Sequence, residues 1–189
     1  MKKWGIILIA AIIFLILTSV TLFVYNPPTS NNSNDTLNIN LPNQMKIKTV
    51  FENNGKIPAK YTCDGEDISP PLEISEIPKN TKTLAIIVDD PDAPAGTWLH
   101  WTIWNIEVAG SSMNLSEGES PGTEGKNDFG NTEYGGPCPP SGTHRYFFKV
   151  YALDAGLSLG KGASKKQLEK AMQGHILDKA EIIGLYSKN

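Results

Sequence analysis

His144–Leu153 reads His-Arg-Tyr-Phe-Phe-Lys-Val-Tyr-Ala-Leu, and it is preceded by Gly135-Gly136-Pro137-Cys138-Pro139-Pro140-Ser141-Gly142-Thr143. A run rich in aromatic and β-branched residues that leaves a Gly/Pro loop is a strand signal. Successive side chains of a strand point to opposite faces, so His144, Tyr146 and Phe148 share one face and Arg145, Phe147 and Lys149 the other. Similar runs occur at Met45–Phe51, Thr83–Val88 and Trp98–Ile106, again between Pro- and Gly-rich loops. Short strands at such spacing predict a mainly β fold, a sandwich or barrel. One helix is expected late in the chain. Ser164-Lys165-Lys166-Gln167 fits a capping box, Leu168, Ala171 and Met172 form an apolar stripe, and Gly174 is a natural stop. Ala180–Tyr186 reads as a second helix or a final strand, with strand favoured.

The strand-rich region is residues 45–189. Residues 4–25 carry no charge and are rich in Ile, Leu, Val and Phe, the length a helix needs to cross a bilayer. Lys2 and Lys3 precede them, which predicts a single-pass anchor over 1–25 with a cytoplasmic N-terminus and an extracytoplasmic domain. A cleaved signal peptide is the rival, with Ser19-Val20-Thr21 a poor cleavage site. Residues 26–44, rich in Asn, Pro, Ser and Thr, read as a flexible linker. Asn31, Asn34 and Asn114 begin glycosylation sequons.

The 189 residues carry 17 basic and 20 acidic side chains, a net charge of −3. Setting aside Lys2 and Lys3 leaves 15 basic against 20 acidic residues, which argues against nucleic-acid binding. Arg145 is the only arginine. Cys63 and Cys138 have neither CxxC nor zinc-ligand spacing. Outside the cytoplasm they could be bridged, or they could be two free buried thiols.

Two segments carry chemistry. Thr83–Val88 runs into Asp89-Asp90-Pro91-Asp92, and prolines then force a turn, so carboxylates collect at a sheet rim where loops build sites. In the next strand, period two puts Trp98, His100, Thr102 and Trp104 on one face. The second segment is the stiff loop of 135–143, whose N–H groups could hold an anion, with His144 and Tyr146 behind it. Alone, each segment fits a hydrogen-bonded core histidine. Together they hold the inventory of a small anion pocket.

Asp90-Pro91-Asp92-Ala93-Pro94, then Trp98-Leu99-His100, then the run from Gly135 through Asp154 resembles the two signature regions of the phosphatidylethanolamine-binding protein family. Tyr61–Gly65 and Ser69–Leu72 point to its bacterial and archaeal, Raf-kinase-inhibitor-like branch, and the likeness covers nearly all of 45–189. It implies an antiparallel, Greek-key-like β sandwich with one or two C-terminal helices, here preceded by the transmembrane helix. It also implies a pocket for a phosphate-type anion such as a phospholipid head group. Matched by motif, the ligand-binding residues are Asp90, Asp92, Trp98, His100, Gly136, Cys138, His144 and Tyr146. Animal relatives have glycine where this chain has Cys138, which would narrow the pocket. An outside domain cannot meet a cytoplasmic kinase, so the kinase-inhibitor role transfers poorly.

The expected function is therefore a membrane-anchored, anion- or lipid-binding domain at the cell membrane, able to regulate a partner protein. No enzyme activity, catalytic residue, metal or cofactor is expected, since no nucleophile motif occurs. The alternatives are an inhibitor or interaction module for an extracytoplasmic protease or other protein, and a metal-dependent hydrolase using the His and Asp residues. Protonation of both histidines would strengthen anion binding as pH falls from about 8 to 6.

Overall fold

The computed structural model describes residues 44–188. In chain order the elements are β1 (Lys46–Lys48), β2 (Gly55–Lys56), β3 (Leu72–Ser75), β4 (Thr83–Asp90), β5 (Trp98–Glu107), β6 (Ser112–Leu115), β7 (Thr123–Glu124), β8 (Thr143–Leu153), α1 (Lys165–Met172) and β9 (Ile176–Ser187). They form a three-stranded sheet in the order β1-β3-β6 and a six-stranded sheet in the order β2-β9-β8-β4-β5-β7.

The larger sheet is covered on both faces. On one side Leu72, Ile74 and Leu115 of the small sheet belong to the same core as Ile86, Val88, Trp101 and Phe148. On the other, Leu168 and Met172 of α1 pack with Ala85, Ile87 and Trp104. Covering both faces explains why all eight residues of β4 are buried. It also explains why Thr83–Val88 is a continuous apolar run rather than an alternating one. Helix α1 is short and depends on this packing. Ser164 and Gln167 form the expected capping box, worth about 1 kcal/mol, and Gly174 follows the helix end with φ +81°.

The register of β4 and β5 contains a feature that period-two reasoning misses. Val88 pairs with Trp101 and Asp89 with Leu99, so His100 is an extra residue, a β-bulge. The bulge turns His100 and Trp101 in succession toward the core between the sheets. His100 meets Tyr146 edge-on at 5.1 Å, and Trp101 joins the same core. Thr102 then sends its neighbour Ile103 inward, while Trp104 faces α1. The expectation that His100 shares a face with Trp104 is therefore corrected.

The expected fold class needs correction too. The described fold is mainly β with one helix, α1; Ala180–Tyr186 belongs to strand β9. The sandwich is not wholly antiparallel, because β2 pairs with β9 in parallel, Gly55 opposite Gly184. The expected transmembrane helix and the linker up to residue 43 lie outside the described residues. Among the described residues no helix is long and apolar enough to cross a membrane.

Candidate functional site

Antiparallel pairing brings the C-terminal end of β4 beside the N-terminal ends of β5 and β8: Asp90 is opposite Trp98, and Asp89 is opposite Phe147. The three carboxylates at this rim diverge. Asp89 turns toward the helical side, where its oxygens accept from Lys149 Nζ at 2.6 Å and Lys165 Nζ at 2.9 Å. Asp90 turns inward, and His144 Nδ1 donates to its Oδ2 at 2.7 Å. Asp92 grips the start of β8. Arg145 gives it Nε at 2.9 Å, an Nη donor at 2.7 Å and the backbone N–H at 3.0 Å. Asp90 Oδ1 also accepts from the Asp92 N–H at 2.8 Å, which ties the turn to the strand.

The Arg145 hydrogen bonds hold the Asp92 carboxyl down at about 2. Its folded value lies below the unfolded one, so its contribution is present above about pH 4 and is lost as pH falls through 2. The arginine side chain is 52% exposed, so solvent screening limits the pair. Arg145→Ala is expected to lower stability slightly at pH 7 and not measurably below about pH 2. Urea unfolding at several pH values reads this difference.

A hollow of about 340 Å³ opens between these strand ends and the loops. Asp90, His100, His144 and Tyr146 supply its polar lining. Trp98, Phe129, Cys138, Pro139 and Pro140 supply much of the rest. Trp98 and Phe129 meet edge to face at 5.4 Å, and Phe129 meets His100 at 5.3 Å. His144 and Tyr146 stack with centroids 6.5 Å apart. A larger groove, about 470 Å³, runs between Met45–Ile47 and Lys179–Glu181, but it gathers no histidine or aromatic ring.

His100 is buried, and its Nδ1 lies 2.6 Å from the carbonyl oxygen of Gly135. A carbonyl only accepts, so Nδ1 carries the proton. Burial pushes the imidazole below its ordinary pKa, outweighing the carbonyls of Gly135 and Gly136 and the charge of Asp90. Desolvation disfavours the cation, so His100 resists the gain of charge that sequence reasoning expected of both histidines. Burial likewise raises the Tyr146 phenol, with the Asp90 charge adding to it. The Tyr146 hydroxyl is buried without a hydrogen-bond partner. The Cys138 backbone N–H is directed at it and holds the phenol down slightly, against the larger effect of burial.

The pocket loop rests on the segment before β3. Gly136 N–H donates to Asp67 Oδ1 at 2.6 Å, Cys63 N–H to the Pro137 carbonyl at 3.2 Å, and the Tyr134 hydroxyl to the Tyr61 carbonyl at 3.1 Å. A Cβ on Gly136 would come within 2.7 Å of Tyr61 O and 2.8 Å of Thr62 Cα, so only glycine lets the loop lie this close. Cys63 and Cys138 are disulfide-bonded, which settles the alternative left open in the sequence.

Six of the eight expected site residues thus line one hollow: Asp90, Trp98, His100, Cys138, His144 and Tyr146. Two do not. Asp92 is occupied by Arg145, and Gly136 is turned to Asp67. Sequence reasoning missed Phe129, a lone aromatic in a polar Asn/Gly loop that is 45% exposed at the pocket. It also missed Asp67, which nothing local in the sequence marks.

Residues 47–187 match the phosphatidylethanolamine-binding protein family. The chain is 52% identical over 152 residues to a UPF0098 protein of Pyrococcus horikoshii, covering 76% of this chain and 77% of that one. It is 51% identical over 150 residues to a UPF0098 protein of Methanothermobacter thermautotrophicus, covering 76% and 99%. Among solved structures it is similar to a phosphatidylethanolamine-binding protein homologue of Chlamydia trachomatis. That match has a TM-score of 0.74 and 43% identity, over 78% of this chain and 99% of the other. A crystal structure of Escherichia coli YbcL, described as a member of the mammalian family, matches with a TM-score of 0.70 and 28% identity, over 77% and 99%. With the two signature segments meeting at one hollow and these relatives matched over the same fold, the chain belongs to the phosphatidylethanolamine-binding protein family.

Proposed function

We propose that the domain binds a small phosphate-type anion, such as a phospholipid head group, in the hollow between the ends of β4, β5 and β8. The observation that carries this reading is the convergence of Asp90, His100, His144 and Tyr146 beneath an aromatic wall. Asp90 orients His144 through Nδ1 and leaves Nε2 for a ligand. The unpartnered Tyr146 hydroxyl offers a second polar contact. Binding is favoured over catalysis because Cys138 is oxidised and cannot supply a thiolate nucleophile. The disulfide also supports a working location outside the cytoplasm, where such bonds persist.

A few hydrogen bonds to a charged ligand, each worth about 1.5–3 kcal/mol and set against the entropy of association, predict weak to moderate affinity. Isothermal titration with phosphoethanolamine should give saturable binding that Tyr146→Phe weakens about five- to ten-fold. The fold of Tyr146→Phe should be intact, since the hydroxyl makes no well-formed hydrogen bond and only the Cys138 backbone N–H is directed at it. Unchanged affinity in this variant would remove Tyr146 from the site, and absence of any heat in the wild type would end the anion reading.

A further inference from the structure

We propose that the pocket takes its anion in a singly charged, hydrogen-bearing form with an apolar substituent, the class of a protonated phosphate or phosphonate monoester, and discriminates against the doubly charged ion. This rests on the anion reading above and specifies its ligand. Three observations carry it.

The first is the tautomer of His100. With Nδ1–H committed to the Gly135 carbonyl at 2.6 Å, the neutral ring's other nitrogen, Nε2, is an acceptor. An acceptor facing a fully ionised phosphate meets only other acceptors. Facing an acid that still carries one O–H, it receives a hydrogen bond.

The second is charge. No lysine or arginine lines the hollow. Arg145, next to His144 in β8, lies on the other face of the strand and is held by Asp92. The charged and titratable groups around His100 come from every neighbouring element: Asp90 from β4, His144 and Tyr146 from β8, and Asp67 from the segment under Gly136. The Asp90–His144 pair sums to −1 or to zero, depending on whether the imidazole holds one proton or two. Burial disfavours a charge on His100, and no fixed cation lines the hollow, so a net positive floor is disfavoured. A second negative charge on the ligand therefore finds no compensating cation.

The third is the wall. Trp98 and Phe129, edge to face, stand with Pro139 and Pro140 around the same hollow. An inorganic ion would leave these surfaces without a contact, whereas an alkyl substituent covers them.

The test is calorimetric titration of the full chain with propylphosphonate, a fluorinated alkylphosphonate whose second ionisation lies at lower pH, and dimethyl phosphate, which is singly charged and has no O–H. Propylphosphonate should bind at least about ten-fold more tightly near pH 6 than near pH 9, and the midpoint of that loss should move to lower pH with the fluorinated ligand. Dimethyl phosphate should bind weakly and equally at both. The proposal is overturned if the dianion binds as tightly as the monoanion, or if the midpoint stays put whichever phosphonate is used, since a fixed midpoint belongs to a protein group. In either case the anion reading survives. Absence of binding by all three ligands overturns both.

Discussion

Replacing both half-cystines, Cys63→Ala with Cys138→Ala, is expected to lower the folding free energy by about 4 kcal/mol. The bridge joins residues 75 positions apart, and closing so long a loop removes much of the unfolded chain's conformational entropy. The effect reaches the pocket as well. Cys138 lines the hollow, and its loop is held to the segment around Cys63 by the disulfide, by Cys63 N–H on the Pro137 carbonyl and by Gly136 N–H on Asp67. With the covalent tie gone, only those bonds keep Pro139 and Pro140 in place. Denaturant titration of the double variant, alongside the wild type with and without reductant, reads the stability. A loss under about 1 kcal/mol would mean that the unfolded chain is already compact around this loop.

His144→Ala is expected to cost about 2–3 kcal/mol and to abolish measurable ligand binding. Asp90 is 3% exposed, and its Oδ2 depends on the imidazole N–H. Removing the ring strands a buried carboxylate, which costs more than the hydrogen bond itself contributes. His144→Asn separates the two roles. Its amide N–H can take the place of Nδ1 and recover most of the stability, while nothing replaces Nε2, so binding stays lost. If His144→Asn restored ligand affinity along with stability, Nε2 would have no part in recognition.

Much of this fold was legible in the amino-acid order. Thr83–Val88, Trp98–Ile106 and His144–Leu153 became long strands because they bury one or both faces, whereas of Met45–Phe51 only Lys46–Lys48 is strand; Ser164 with Gln167 marked the helix start from local chemistry alone. What was not legible depends on pairing. The bulge at His100 arises from register against β4, so period-two reasoning placed His100 with Trp104. The parallel partnership of β2 with β9 involves two residues per strand, too few for any pattern to show. The site divides in the same way. DPDAP and the HRY segment announced where carboxylates and histidines would gather. That Asp90 would face the hollow while Asp92 clamps Arg145 was decided by which side of the turn each occupies. Burial then worked against the expected protonation of His100, a consequence of the rings and backbone around it rather than of its neighbours in sequence.

The chain has three histidines, and His175 is bonded to Asp154 on the surface, away from the hollow. Ring-nitrogen NMR of the protein during titration with propylphosphonate therefore carries its own control. The account predicts that the Nε2 signals of His100 and His144 shift together along one saturation curve while those of His175 stay still. Saturable binding that leaves both pocket histidines unmoved would contradict it.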